Sequence, residues 1–394
     1  ESVLSVGGTG NVERRKTRRT AMERQYRHSL LVEENHDEVA REVFAMDLAG
    51  YLAKDVFPGT RTLYKTRIEP AYTRQHDRSP TRTETRHALL RQPYYQMWSS
   101  LKRTDQEILF DAVGEVVEHQ LADITARSKK PKKRAGGSLS LDPTVKPPRY
   151  LTAVDIHCMP GNYTADLGKD DVSAGAIFDR GLFLYGRGGL GPQSDDMGAS
   201  VCAWLKKTHP KFSPKVILDM GCSIGGNTLP FARAFPKAKV HAIDVGAGVL
   251  RYGHARSEEL GVPIHFSQQD AEHTKFADGS VDLIVSHLLG HETSLAGYRN
   301  IMRECHRLLR PGGMMLHTET EWSTETDPFN QSVLDWETHY NAEPFKTKLD
   351  TLDEKAVAKE AGFSAKNAFV ERAPSLRAGT KYYQGQWVIF GAIK

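Results

Sequence analysis

The sequence predicts an α/β protein in which a seven-stranded, mainly parallel sheet flanked by helices follows a mainly α-helical N-terminal region. Three observations predict it. From Tyr150 onward short apolar runs alternate with amphipathic segments. From about Met22 to Ser128 apolar residues recur at spacings of three and four. Between these regions lies a stretch rich in Gly, Ser, Pro and basic residues, and 394 residues is ample for two domains. A content of 39% hydrophobic and 26% charged residues excludes a wholly disordered chain. No apolar run approaches the ~18 residues needed to cross a bilayer, so no membrane span is expected.

Residues 1–20 hold Gly7, Gly8 and Gly10 and the cluster Arg14, Arg15, Lys16, Arg18, Arg19, and they read as a flexible arm. No apolar stretch follows the cluster, so no secretory signal is expected. Residues 21–128 read as a helical domain, with helices over 38–56 and 83–101 and breaks at Pro58 and Pro80. A third helix is expected to start at Thr104, where Thr104-x-x-Glu107 has the form of a capping box. Behind it Ile108, Leu109, Ala112, Val113, Val116, Val117, Leu121 and Ile124 form one apolar stripe. Such a stripe needs a partner surface, which suggests a homodimer contact or a cap over a substrate. Residues 129–149 read as a basic linker.

The first 150 residues carry 27 Lys and Arg against 20 Asp and Glu, and the remainder 26 against 29. A basic half can serve nucleic acid. About half of its excess, however, lies in the run from Arg127 to Arg134 beside the linker, so the expectation is against nucleic acid. Cys158, Cys202, Cys222 and Cys305 show no C-x-x-C spacing. They read as free thiols in a reducing cytoplasm.

Five strands are expected in succession, over 216–220, 239–244, 263–266, 281–286 and 314–318. Two more, over 368–371 and 386–393, are close enough in sequence to pair antiparallel. The helical candidate over 295–309 carries Tyr298, Ile301, Met302, Cys305 and Leu308 on one face. An insert over about 323–349, with Trp322 just before it and Phe329, Trp336, His339, Tyr340 and Phe345 within it, can roof a small-molecule pocket.

The first of these strands runs through Asp219 into the turn Gly221-Cys-Ser223-Ile-Gly225-Gly226 and then a helix. Glycines let the backbone turn tightly and approach a ligand, and the amides at the helix start favour a negative group. The second strand ends at Asp244, placed to grip a ribose hydroxyl pair. Asp270-Ala271 follows the third, and the helix before the fifth ends in Arg303-Glu-Cys-His-Arg-Leu-Leu-Arg-Pro-Gly-Gly313. In this order and spacing, these residues resemble the class I S-adenosylmethionine-dependent methyltransferases over about 150–394. The resemblance implies a Rossmann-like fold and S-adenosylmethionine as cofactor. It also implies that Asp219 and the backbone from Gly221 through Ser223 to Gly225 hold the methionine part. Asp244, with Val245 beside it, would hold the ribose, Asp270 and Ala271 the adenine edge, and Ser286 and His287 the floor near the methyl. Ser223 departs from the family, whose loop usually has glycine there.

The sulfonium is an activated donor, so a base is needed only when the acceptor is protonated. His287 and His291 follow the fourth strand, and in a helix their spacing of four would put both on one face. They are the expected catalytic pair. His-x-x-x-His beside Glu292 lacks the H-E-x-x-H order and an indicated third ligand, so no metal site is expected. His317, Glu319 and Glu321 alternate along the fifth strand toward the same edge, and His317 and Glu319 are expected at the substrate. Tyr163 and Arg187, in stretches rich in glycine and aromatic residues, are expected to pair the cofactor carboxylate or an acidic substrate. The position after the fourth strand reads Ser-His-Leu-Leu and lacks the Asn/Asp-Pro-Pro-aromatic tetrapeptide of base-methylating enzymes. A small-molecule acceptor is therefore the expected reading. The alternatives are methylation of RNA or protein by way of the basic half, and a non-methylating protein on the same fold.

Overall fold

The computed structural model describes residues 24–131, 134–320, 327–349, 351–378 and 385–394. The arm over 1–20, Glu321, Trp322 and residues 323–326 of the insert lie outside them. The chain opens with α1 (His36–Tyr51), α2 (Phe57–Leu63) and α3 (Glu69–His76), continuous through π-helical turns at Leu52–Val56 and Tyr64–Ile68. Pro58 therefore does not break the helix as expected. It sits in the first turn after a π segment, where the altered register accommodates a residue without an N–H. After α4 (Arg82–Leu89), α5 runs unbroken from Pro93 to Ser128. Thr104 lies inside α5 and starts nothing: Glu107 is paired with Arg103 at 2.7 Å. The capping boxes are Asn35 with Glu38 and Thr81 with Glu84.

The stripe on α5 is covered within the chain. Leu109, Val113, Val116, Val117 and Ile124 share a core with Phe183 and Leu184 of α7 (Ser173–Tyr185) and with Val249, Tyr252 and Ala255 of the helix over 247–259. A second shared core joins Leu52, Tyr64, Tyr95 and Trp98 to Phe329 and Trp336 of the insert. The N-terminal helices are thus packed as a roof on the α/β part. Short helix α6 (Arg149–Thr152) leads into that roof's edge.

Among the described residues the sheet has eight strands where seven are expected, in the order β1-β4-β3-β2-β5-β6-β8-β7. They are β1 (Ser138–Ser140), β2 (Val216–Met220), β3 (Lys239–Asp244), β4 (His265–Gln268), β5 (Val281–His287), β6 (Leu309–Glu319), β7 (Ala368–Pro374) and β8 (Gln386–Ile393). The additional strand, β1, lies inside the expected linker. It pairs parallel with β4, and the Glu258 carboxylate fixes its approach by accepting from the amides of Ala135 and Gly137. β6 and β7 both pair antiparallel with β8.

Alternation along the strands feeds two cores, one per face. Ile217, Val240, Leu283 and Leu316 pack on α8 (Asp196–Thr208) and α9 (Thr228–Ala234). α10 is the helix Ala247–Glu259. Leu218, Ile243, Ile284 and Met315 pack on α11 (Leu295–Leu308). The insert supplies α12 (Pro328–Tyr340) and α13 (Lys346–Leu349), and α14 (Glu354–Glu360) lies on the α11 side. The strand order reverses beside β2, whose neighbours are β3 and β5, so the crevice at their carboxyl ends is where an open α/β sheet offers a ligand site.

Candidate active site

A cavity of about 370 Å³ opens at that crevice. Asp219, Gly221, Ser223, Asp244, Val245, Asp270, Ala271 and His287 line its strand-end side, and Tyr163 and Arg187 its roof. Gly221 has φ +71°, and a Cβ there would lie 2.6 Å from Leu289, so the turn needs glycine on both counts. Ser223, the departure from glycine, sits at φ +46° in the left-handed region. His157, Arg187 and Leu288 also line the cavity with positive φ. Backbone held in this sparsely populated region concentrates at the site.

The rim carries unmet polar atoms. Asp219 accepts from the Thr228 hydroxyl on Oδ2 at 2.5 Å, while its buried Oδ1 has no hydrogen-bond partner in the protein. The Ser223 hydroxyl and both ring nitrogens of His287 are likewise buried and unmet. His287 Nδ1 lies 3.8 Å from Asp219 Oδ1. Asp244 accepts from the backbone amides of Ser223 at 2.8 Å and Gly246 at 2.9 Å. Burial raises its carboxyl to about 6, against the pull of those amides. Asp270 accepts from the Glu272 amide, and burial raises its pKa as well. Unpaired buried polar atoms are costly, and a polar ligand in the cavity would satisfy them.

Five expected site residues do not line the cavity. Gly225 holds its turn at φ +73°, and a Cβ there would meet the Phe266 ring at 2.9 Å, on the core side. Ser286 shares a 2.5 Å hydrogen bond with His317 Nδ1, so both turn into the space beneath the sheet. Burial lowers the His317 ring to about 4. Glu319 accepts from the Gly290 amide at 2.9 Å and from His291 Nδ1 at 2.6 Å. His291 is not on one helix face with His287. β5 ends at His287, Leu288 turns left-handed, and a short 3-10 turn, Gly290–Glu292, carries His291 away.

Sequence reasoning missed His157 and Glu343. The Tyr163 hydroxyl donates to Glu292 at 2.9 Å, and His157 stands 3.4 Å from Glu292 and 3.1 Å from Glu343. Burial disfavours charge on His157, but Glu343 and Glu292 outweigh it and raise the ring to about 10. Neither His157 nor Glu343 belongs to a periodic pattern or a spaced motif, so the chain offered no signal for their meeting.

Residues 217–313 match the family model described as a methyltransferase domain. That stretch, about a quarter of the chain, is a methyltransferase domain. Similar curated proteins include the malonyl-[acyl-carrier protein] O-methyltransferase of Dechloromonas aromatica, 33% identical over 127 residues, or 32% of this chain and 45% of that protein. The ubiquinone biosynthesis O-methyltransferase of Sodalis glossinidius is 36% identical over 101 residues, 25% of this chain and 39% of that one. The chain thus spans less than half the length of either relative. Among solved structures, the geranyl diphosphate C-methyltransferase of Streptomyces coelicolor aligns with a TM-score of 0.38 at 16% identity, over 50% of this chain and 78% of that one. The methyltransferase domain is the region that supplies the strand-end side of the cavity. No described helix is long and apolar enough to cross a membrane.

Proposed function

We propose that the protein transfers a methyl group from S-adenosylmethionine to a small-molecule acceptor, leaving S-adenosylhomocysteine. The observation that carries this reading is the set of unmet polar atoms of Asp219, Ser223 and His287 around a cavity at the strand ends. In this reading the Gly221–Ser223 backbone and Asp219 hold the methionine part, Asp244 the ribose hydroxyls, and Asp270 with Ala271 the adenine edge. Tyr163 closes the cofactor from above. The bound cofactor supplies an electrophilic methyl, and the protein supplies alignment and the exclusion of water.

The acceptor side is apolar. Phe110, Tyr150, Met159, Phe178, Leu182 and Tyr185 line it, which suits a small aromatic or aliphatic molecule. Arg187 stands between this cavity and a second of about 300 Å³ under the N-terminal helices, where it can orient an anionic group. His287 is the base in this scheme. Its ring nitrogens meet no hydrogen-bond partner among the described residues, His287 lines the cavity, and Asp219 Oδ1 stands 3.8 Å from Nδ1. Four free, buried thiols suit a reducing cytoplasm, the compartment we assign.

The test is calorimetry with S-adenosylmethionine and S-adenosylhomocysteine, followed by transfer of labelled methyl into a metabolite extract. Binding of both and a labelled small-molecule product are expected. No binding of either would remove the proposal.

A further inference from the structure

Beside the cavity, three side chains from separate parts of the chain converge. His157 comes from the segment before α7, and His291 and Glu292 come from the turn after β5. One ligand atom of each lies within 4.8 Å of the others. His291 is occupied on Nδ1 by Glu319 at 2.6 Å, and His157 has its Nδ1 3.1 Å from Glu343. A carboxylate on Nδ1 fixes the tautomer that leaves Nε2 with its lone pair available, the arrangement seen behind metal-bound histidines. His291 thus has Nε2, 3.7 Å from Glu343, as the atom left for a ligand; His157 Nδ1 also meets the Asn341 side-chain amide at 3.2 Å, and its Nε2 is 3.4 Å from Glu292. His291, Glu319 and Glu343 are nearly buried, with side chains 4%, 8% and 4% exposed.

Charge points the same way. Glu292, Glu319 and Glu343 place three carboxylates together, and Lys346 is the cation that faces the last two. The imidazoles of His157 and His291 face the same carboxylates, and charges in such a place are costly unless paired. One divalent cation on the two neutral imidazoles would carry the same charge as the two ring protons it replaces.

We propose that His157, His291 and Glu292 bind a divalent transition-metal ion, with Glu319 and Glu343 holding the two imidazoles in place. Two nitrogens and one carboxylate oxygen favour zinc, iron, cobalt or manganese over magnesium or calcium. Three protein ligands leave coordination positions open. His157 and Glu292 line the cavity, so an open position faces the acceptor side. An acceptor bearing a hydroxyl or carboxylate would bind there through oxygen, and the metal would lower the pKa of that hydroxyl. This last point rests on the methyl-transfer reading; metal binding itself does not.

The test uses the full chain, stripped with chelator and titrated with Co2+, followed by visible absorption and competition with Zn2+. One Co2+ per chain is expected, displaced by Zn2+. Glu319→Gln, which touches no metal, is expected to weaken metal affinity by about 10–100-fold, and His291→Ala and Glu292→Gln by at least as much. Thermal melts of each variant report folding. The proposal is overturned when the folded wild-type protein takes up no stoichiometric Co2+, Zn2+ or Mn2+. It is equally overturned when folded Glu292→Gln and His291→Ala bind metal as the wild type does. S-adenosylmethionine calorimetry on the same samples separates the two readings. Metal uptake without cofactor binding removes methyl transfer alone, and cofactor binding without metal uptake removes this site alone.

Discussion

The two sides of the cavity are built differently. The strand-end side is polar, comes from one sheet, and carries atoms that the protein leaves unmet: Asp219 Oδ1, the Ser223 hydroxyl and the His287 ring. The roof draws Phe110 from α5, Tyr150 from α6, and Phe178 and Tyr185 from α7, and it is mostly apolar and aromatic. The difference teaches that the polar groups of a ligand would find their partners on the sheet, while its apolar part would meet helices that can differ without disturbing the strands.

This contrast is sharpest if roof and sheet nevertheless fold as one unit, which the shared core implies. At their junction Asp179 of α7 lies against His28 at 2.9 Å, the Tyr252 hydroxyl at 2.9 Å and Arg256 at 3.3 Å. Asp179→Ala leaves Arg256 buried and unpaired, so a loss of about 3–5 kcal/mol is expected in chemical denaturation, in a single transition. Two transitions, with only the first moved, would break the comparison by making the roof a separate domain. The same Asp179 sets an acid limit. Although burial opposes it, Arg256 and His28 hold its carboxyl well below the usual range, so its stabilising contribution is lost as pH falls below about 4.

On the strand-end side, Asp244→Ala is expected to weaken S-adenosylmethionine binding by about 1–3 kcal/mol, read by calorimetry. An unchanged dissociation constant would remove the ribose role. Beneath the sheet, burial raises Glu354 to about 8, although the Tyr298 hydroxyl donates to it at 3.0 Å. A carboxyl with a raised folded-state pKa contributes stability below its unfolded pKa of about 4.5 that disappears as pH rises through about 8. Wild type is therefore expected to lose more stability than Glu354→Gln between pH 6 and about 9, in denaturant midpoints measured side by side. The smallest effect belongs to the roof's outer edge. Lys102, a third exposed, sits 3.7 Å from the Trp336 ring centre and pairs with Glu337 at 2.5 Å. Lys102→Ala is expected to cost about 0.5–1 kcal/mol, with cofactor affinity unchanged.

Much of the strand-end side was legible because its signals are local. A strand, a glycine turn and a strand-end acid are adjacent in sequence, and their spacing follows from the length of one β-α unit. Gly225 shows the limit even there: the spacing marked a required glycine without showing that it faces Phe266. β1 was hidden because three residues amid Gly, Ser and Pro carry no alternation to read. Thr104 misled because a capping box is a four-residue pattern, and α5 had already begun at Pro93.

The two histidines after β5 mark the boundary between sequence and fold. By itself the chain determined the alternating α/β order, the glycine turn, Asp219, Asp244 and Asp270, and the placing of His287 at a strand end, since each depends on neighbours a few residues away. Only the tertiary structure decided that His291 turns from the cavity toward Glu319, that His317 drops beneath the sheet to Ser286, and that His157 arrives beside Glu292. Those meetings depend on a left-handed residue at Leu288, a bend at His157 and the docking of the insert, and contacts across 28 to 135 positions leave no periodic trace in a single chain.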